Sequence, residues 1–240
     1  MHRAKPTIVV RQLGRQPYLP TLHMQQTLAH SLKLTEAARD TLSTHHPTTT
    51  ASAALGQPTP QDTLLLVEHD PPVYTVGRQN TEEDFLLPIH TLEERGCQVV
   101  KTGRGGAVTW HGPGQIVGYP ILNLNRYTPS FGLKSHTTSD VGVWIDGQRK
   151  IAAIGIAVSR WVTMHGFALN VCPDLAHYDA IIPCRIRDKE VTSLAKELNR
   201  QVSVEEVTPV LLESFRQVFG NEWCSLSSPN DTTYPEKSRQ

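Results

Sequence analysis

A glycine-rich block at residues 103–120 constrains the fold of this 240-residue chain more than any other feature. Glycine has no Cβ atom and adopts positive φ values easily, so a run of glycines lets the backbone approach another group closely. A pair of glycine turns joining strands is the alternative interpretation. Turns alone, however, do not require Arg104, His111 and Gln115 in the same block. We therefore predict that this block wraps a substrate.

Composition indicates one soluble α/β domain. The chain is long enough to bury a substantial core, and 38% of its residues are hydrophobic. Lys plus Arg equals Asp plus Glu at 23 each, which gives no reason to expect nucleic acid or an anionic membrane as partner. Apolar runs such as Leu64 to Val67 are far shorter than the roughly 18 residues of a spanning helix, so no membrane span is predicted.

Cysteine and histidine spacing predicts neither a disulfide scaffold nor a metal centre. Four cysteines are scattered without a CxxC pair, and the eleven histidines form no HxH or HxxxH pair with an acidic partner. The first 35 residues are basic and contain no Asp or Glu, as mitochondrial targeting segments do. The alternative is that this region holds only the first strand and the first helix.

Hydrophobic periodicity predicts strands and helices along most of the chain. A mobile insertion is expected at residues 41–61, which have almost no large apolar side chain, and a disordered tail is expected at the polar residues 225–240. The hairpin should turn at Asp146 and Gly147, and Ser203 with Glu206 forms a capping-box pattern. The predicted strands are 7–13, 63–68, 73–76, 98–101, 116–124, 141–146, 150–159 and 165–171, and the predicted helices are 21–39, 87–95, 191–198 and 203–219.

Cys184 is the best candidate nucleophile. It follows Pro183 and precedes two arginines that would favour the thiolate, and an unperturbed thiol is only a few per cent ionised at neutral pH. Lys150, which enters an apolar strand after a turn, is a plausible cation beside it. An inert buried thiol is the alternative for Cys184. His111 and His165 could each be a structural histidine or a base.

No nucleotide-binding motif is present. The run from Gly112 to Gly118 contains a proline, has one residue too many before its last glycine and leads into a predicted strand, so it is not a dinucleotide fingerprint. A GxxxxGK[ST] phosphate loop is also missing from the sequence. No cofactor is expected.

Several segments together resemble the octanoyltransferases of lipoate biosynthesis, in particular the animal mitochondrial branch. The resemblance covers most of residues 7–220, which we predict to be the catalytic domain. It depends on segments in the family's order, namely 103–106, 109–115 with Tyr119 and Pro120, 142–144, 150–155, 165–170, Pro183 with Cys184, and 191–194.

The resemblance implies a single domain of the lipoate/biotin protein ligase type, with a mixed sheet flanked by helices. It further implies transfer of an octanoyl group from octanoyl-acyl-carrier protein to a lysine of lipoyl domains in the mitochondrial matrix. The acceptors would be 2-oxoacid dehydrogenase complexes and the glycine cleavage H protein. By the same resemblance Cys184 forms an acyl-thioester and Lys150 lowers the pKa of that thiol. The implied substrate-binding residues are Arg104, Gly105, Gly106, Ala107, Val108, Thr109, Trp110, His111, Ala153, Ile154, Gly155, Gly166, Phe167 and Ala168.

Two departures from the family pattern affect these expectations. The segment from Arg126 to Asp140 is short and turn-rich where the family has a helix, so we predict that this helix is missing and that apolar surface is left exposed. Arg185 stands where the family has a glycine after the nucleophile, which puts the oxyanion site in doubt.

Thiolate attack on a carrier thioester is a near-balanced exchange between sulfurs and requires neither ATP nor a metal. The alternatives are an ATP-dependent lipoate or biotin-type ligase of the same fold, and a shortened, non-catalytic form that binds carrier or lipoyl domains. Apolar residues of the predicted strands could line an acyl channel, namely Val108, Ile154, Ile156 and Phe167.

Overall fold

The computed structural model describes residues 7–43, 60–79, 81–126, 141–183, 189–219 and 223–226. Two sheets and four helices account for most of this part of the chain. The strands are β1 (Ile8–Gln16), β2 (Asp62–His69), β3 (Val73–Val76), β4 (Gln98–Lys101), β5 (Val108–His111), β6 (Gln115–Ile121), β7 (Val143–Ile145), β8 (Arg149–Ser159), β9 (Val162–Asn170), β10 (Glu190–Val191) and β11 (Trp223–Leu226). The helices are α1 (Tyr18–Ser43), α2 (Ile89–Glu94), α3 (Leu194–Leu198) and α4 (Val204–Phe219), with short 3₁₀ helices at 82–84, 124–126 and 175–180. None of the described helices is both long and apolar enough to cross a membrane.

The larger sheet is mixed and has the strand order β10-β8-β9-β6-β2-β1-β11, with β7 paired to β8. Its centre is antiparallel, whereas β1 pairs in parallel with both β2 and β11. The smaller sheet has the order β4-β3-β5. Pro71 and Pro72 lie between β2 and β3, and the chain passes there from the larger sheet to the smaller one.

Both faces of the larger sheet are covered by helices. In β2, Leu65 and Val67 pack on the α1 side, while Leu64 and Leu66 pack on the side of α3 and α4. Because successive side chains of a strand point to opposite faces, a central strand buried on both faces reads as a continuous apolar run. The predicted mixed sheet flanked by helices is therefore confirmed.

Most element boundaries agree with the sequence-based predictions, and three differences have clear causes. Helix α1 begins at Tyr18 because Pro20 fits into a first helical turn, where its missing N–H costs no hydrogen bond. The predicted helix at 191–198 begins only at Leu194, since Ser193 caps it by accepting a hydrogen bond from the Lys196 amide. The strand predicted at 165–171 begins earlier, at Val162.

The predicted hairpin and the predicted cap are both present. Asp146 and Gly147 have φ values of 50° and 70°, as a tight hairpin turn requires. Ser203 accepts a hydrogen bond from the Glu206 amide at 3.2 Å. The reciprocal half of the capping box is replaced, because the Glu206 carboxylate binds Arg200.

Several predictions concern residues at the edges of the described ranges. Residues 41–43 of the predicted insertion belong to α1, and residues 44–59 lie outside the described part. Ser225 and Leu226, predicted to begin a disordered tail, pair with β1 as part of β11. The segment in which a family helix is predicted to be missing, residues 127–140, lies outside the described residues, as do Cys184 and Arg185.

Candidate active site

A cavity of about 210 Å³ lies between the two sheets. Most of the predicted substrate-binding residues line it, together with residues of α1, β3 and β6 that sequence reasoning did not single out for this role. Its walls are formed by Tyr18, Thr75, Gln79, Arg104, Gly106, Ala107, Thr109, His111, Val117, Tyr119, Val141, Ala153, Ile154, Gly155, His165, Gly166, Phe167 and Ala168.

Strand β5 divides its side chains between the cavity and a separate core. Thr109 and His111 line the cavity, whereas Val108 and Trp110 are buried in the core beneath the smaller sheet. Trp110 stacks there on His177, with ring centroids 4.6 Å apart. Successive side chains of a strand point to opposite faces, so an uninterrupted run of strand residues cannot all line one cavity. Val108 and Trp110 therefore do not line the cavity.

Two of the four residues that were predicted to line an acyl channel lie in the cavity wall. Ile154 and Phe167 line the cavity, while Val108 lies in the other core. Ile156 is also not part of the wall, and it is 41% exposed two residues further along β8. Gly105 is outside the wall too, although its amide donates to the Ile156 carbonyl at 3.2 Å.

The glycines of the block fall into two groups. Gly112 and Gly114 allow the chain to pack against itself, because a Cβ atom on Gly112 would lie 2.2 Å from the Trp110 ring and one on Gly114 would lie 2.6 Å from the Cys172 carbonyl oxygen. Gly106 lines the cavity, and the atom nearest to its Cβ position is Arg104 Nη1 at 3.5 Å. Outside the block, the missing Cβ of Gly155 leaves room for the side chain of Arg104, whose Cδ is 3.1 Å from the Cβ position.

Arg104 is fixed in the cavity wall by Thr75. Its Nη2 donates to the Thr75 hydroxyl at 2.9 Å and to the carbonyl oxygen of the same residue, and its Nε donates to the hydroxyl at 3.3 Å. Its Nη1 donates to the Gly105 carbonyl at 2.9 Å. The guanidinium is thus held at a defined place although only 7% of the residue is exposed.

Gln115 fixes the tautomer of His111, and Thr75 completes its hydrogen bonds. Gln115 uses its Nε2 as a donor to Asn170, so its Oε1 accepts from His111 Nδ1 at 2.7 Å. With the proton on Nδ1, His111 Nε2 accepts from the Thr75 hydroxyl at 3.1 Å. Both ring nitrogens are occupied, so His111 is a structural histidine here and not a free base.

Burial keeps the imidazoles at the cavity neutral. Desolvation, together with the neighbouring His69 and Arg104, lowers the pKa of His111 to about 3. Desolvation and Arg104 together lower the pKa of His165 to about 4. None of the described residues that line the cavity is a carboxylate. The guanidinium of Arg104 therefore gives the cavity wall a positive charge that no carboxylate of the wall offsets. Such a site suits a group that presents carbonyl oxygens.

Lys150 lies in β8, three residues before Ala153 of the cavity wall, and is not itself a lining residue. It is only 4% exposed, and its Nζ is 4.6 Å from the centre of the Trp144 ring. The Cβ position of Gly142 is 3.2 Å from Lys150 Cε, and the preceding residue, Val141, lines the cavity. Cys184 lies outside the described residues, between Pro183 and Lys189.

Thr75 is the functional residue that sequence reasoning missed. It lies between Tyr74 and Val76 in the short strand β3, and no motif distinguishes it from a core threonine. Tyr119 was noted only as part of the family motifs, whereas His165 was also considered as a structural histidine or a base. Within the described part of the chain, no group of three His, Cys, Asp or Glu side chains could hold a metal ion.

Comparison with known proteins identifies the family. The model of the lipoyl protein ligase A/B catalytic domain matches residues 48–216. An octanoyltransferase of Koribacter versatilis is 42% identical over 194 residues, covering 71% of this chain and 77% of that protein. A Drosophila melanogaster protein named as a mitochondrial lipoyltransferase 2 is 38% identical over 234 residues, covering 90% of this chain and 91% of the relative.

Solved structures agree on the fold. A lipoate protein ligase of Thermoplasma acidophilum superposes with a TM-score of 0.55 at 14% identity, covering 94% of this chain and 88% of that one. At such low identity the superposition shows the fold alone, whereas the relatives near 40% identity show the family. The chain therefore belongs to the octanoyltransferases, within the lipoyl protein ligase A/B catalytic domain family.

Proposed function

We propose that this protein transfers an octanoyl group from octanoyl-acyl-carrier protein to a lysine of lipoyl domains through a thioester on Cys184. The observation that carries the proposal is a buried lysine, Lys150, in the strand that also contributes Ala153 to the wall of a cavity whose described walls hold a fixed guanidinium and no carboxylate. This arrangement supplies an ammonium group for a thiolate and a partly apolar space for an acyl chain.

The cavity suits a medium-length acyl group. Its apolar wall includes Val117, Ile154 and Phe167, and each buried methylene contributes roughly 0.8 kcal/mol to binding. The ring of Phe167 lies over Gly118, where a Cβ atom would be 2.3 Å from the ring. The position of this ring therefore bounds the space beside β6, and it supports binding of a chain of limited length.

The proposed chemistry has two balanced steps. The Cys184 thiolate attacks the thioester carbonyl, the carbon–sulfur bond to the carrier breaks, and the carrier thiolate leaves as a thiol with a proton from the Lys150 ammonium group, which leaves Lys150 neutral. The amine of the acceptor lysine then attacks the Cys184 thioester. Its proton passes to Lys150 as the Cys184 thiolate leaves, so the product is an amide and the enzyme returns to its starting state. No oxidant or nucleotide is consumed.

The remaining cysteines with described side chains are poorer candidates for the nucleophile. Burial raises the pKa of the Cys97 thiol, and burial together with the charge of Glu68 raises that of Cys172. Both changes decrease the fraction of reactive thiolate at neutral pH.

The names of the relatives support the cellular setting. Since the Drosophila relative is named mitochondrial, we place the proposed reaction in mitochondria, in the matrix. The proposed acceptors are the lipoyl domains of the 2-oxoacid dehydrogenase complexes and the glycine cleavage H protein, and the proposed donor is octanoyl-acyl-carrier protein.

Reconstitution with purified components tests the proposal. The full chain is mixed with octanoyl-carrier protein and a lipoyl domain without ATP, and octanoylation of the acceptor lysine is followed by mass spectrometry. We expect transfer by the wild type, none by Cys184→Ser, and a roughly 100- to 10,000-fold decrease in Lys150→Met.

Lys101→Met, which changes an exposed lysine, is the matched control and should transfer at the wild-type rate. Transfer that requires ATP would instead indicate a ligase of the same fold. Binding of the carrier without any transfer would indicate a non-catalytic form.

A further inference from the structure

The β7–β8 hairpin places an aromatic ring directly on the ammonium group of Lys150. Trp144 and Lys150 are cross-strand neighbours in the hairpin, and Lys150 Nζ is 4.6 Å from the ring centre. Among the described residues, no hydrogen-bond acceptor contacts this nitrogen, although it is fully buried. The ring face is therefore the described group that most directly stabilises the charge, since aromatic faces attract cations.

The stem of Lys150 is held as closely as its nitrogen. Gly142 has a φ of 130°, and its Cβ position lies 3.2 Å from Lys150 Cε and 3.5 Å from Cδ. A side chain at position 142 would occupy the space that the methylene groups use. The hairpin thus fixes Lys150 along its whole length, with Gly142 beside the stem and Trp144 at the end.

A second ammonium group approaches the same ring. Lys189 Nζ is 4.8 Å from the Trp144 ring centre. The nitrogens of Lys150 and Lys189 are therefore at most about 9 Å apart, close to a Debye length of about 8 Å. Lys189 is adjacent to β10, whose Val191 pairs with Lys150, so the chain returns to this position five residues after Cys184.

The described carboxylates near this end of β8 are bound to other groups. On the β7 side Asp146 binds Arg149 at 3.1 Å, and on α3 Glu197 binds Arg149 at 2.8 Å. On β10 Glu190 lies 3.8 Å from Lys196. Lys189 is thus the described charged group that shares the Trp144 ring with Lys150.

We propose that Trp144 is the positioning residue for Lys150, holding its ammonium group on the ring face, and that Lys189 opposes this charge from the same ring. The inference depends on the proposed function of Lys150. Trp144 acts through Lys150 and need not touch the substrate. Its contribution is to keep a buried cation charged and correctly placed where no described acceptor does so.

Two substitutions should change the protonation of Lys150 in opposite directions. Trp144→Leu removes the ring but keeps an apolar side chain, so the ammonium form loses stabilisation. Lys189→Gln removes a like charge, so the ammonium form gains stabilisation. In protein carrying isotope-labelled lysine, the pH midpoint of the Lys150 resonance should fall by about one unit in the first variant and rise in the second.

Activity provides a parallel measurement. The alkaline limb of the pH profile for octanoylation of Cys184 should move in the same two directions as the resonance midpoint. Trp144→Phe, which keeps an aromatic face, should recover most of the shift. Trp161→Leu is the matched control, since Trp161 is 62% exposed at the β8–β9 turn, and it should leave both readouts unchanged.

The outcomes separate this inference from the proposed function. Unchanged midpoints in Trp144→Leu, in a protein that still forms the Cys184 adduct, would overturn the positioning role alone. A shift that Trp144→Phe fails to recover would also overturn it, because lost packing and not the ring face would then be the cause. If the wild type never forms the adduct, the proposed function fails and the role of Trp144 in it fails as well.

Discussion

Replacing Thr75 by Val should loosen the cavity wall and destabilise the whole protein. The two side chains have nearly the same shape, so the change removes mainly the hydroxyl that joins Arg104 to His111. His111 Nε2 would then have no donor, and Arg104 Nε would lose its acceptor. Arg104 Nη2 would keep its bond to the Thr75 carbonyl.

The magnitude follows from these two lost partners. A buried polar group left without a hydrogen bond costs roughly 1–3 kcal/mol, so the loss of two partners should destabilise the protein by about 2–6 kcal/mol. For a chain of this size that corresponds to a decrease in Tm of roughly 4–24 °C. The KM for octanoyl-carrier protein should also rise, because Arg104 would no longer be fixed in the wall.

Calorimetry or thermal circular dichroism measures the first effect, and steady-state kinetics measures the second. Thr75→Ser retains the hydroxyl and is the matched control, so it should recover most of both. If Thr75→Val has the wild-type Tm and KM, the hydroxyl does not hold Arg104 and His111 in place, and this reasoning is refuted.

Three further predictions concern pH, chain length and the Lys150 stem. Burial lowers the pKa of three histidines, His69, His111 and His165, to about 3–4 from an ordinary 6.5. The unfolded state therefore binds more protons than the folded state as pH falls from 6.5 to about 4. The free energy of unfolding, measured by urea titration, should decrease over this range by up to roughly 4 kcal/mol per pH unit. Gly118→Ala should push the Phe167 ring into the cavity and lower the octanoyl-to-hexanoyl rate ratio, and an unchanged ratio would contradict the assigned wall. Gly142→Ala should slow adduct formation far more than the control Gly147→Ala. Gly147 also has a positive φ, but no atom lies within 4 Å of its Cβ position. Equal rates in the two variants would exclude contact between position 142 and the Lys150 stem.

The acid-stability prediction has a simple control. His90→Gln changes an exposed histidine and should leave the dependence of the unfolding free energy on pH unchanged. His111→Gln removes one buried titrating group, so it should decrease the slope of the unfolding free energy against pH by roughly 1.4 kcal/mol per pH unit. A slope that His111→Gln does not alter would mean that this imidazole is not buried in its neutral form.

Local patterns predicted the elements of the fold, because they follow from signals within a few residues. The apolar run in β2, the turn at Asp146 and Gly147 and the Ser203 cap each depend on short-range backbone and side-chain preferences. The division of the strands into two sheets could not be predicted in this way. It depends on which strands meet in space, and neither periodicity nor composition encodes that pairing.

The candidate site was predicted in part, for a related reason. The family resemblance indicated the segments around Arg104 and Gly155, and the structure brings them together in one wall. It could not distinguish Thr109 from Trp110, since a motif read as a continuous run ignores strand alternation. Thr75 was missed because its importance comes from contacts with residues 29 and 36 positions away.

The central claim is that Cys184 carries the octanoyl group, and single-turnover mass spectrometry tests it most directly. The full chain is mixed with octanoyl-carrier protein in the absence of an acceptor, digested, and searched for an acylated Cys184 peptide. We predict a hydroxylamine-labile octanoyl adduct on that peptide, formed much more slowly in Lys150→Met. An adduct on another residue, or transfer to a lipoyl domain that proceeds normally in Cys184→Ser, would contradict the account.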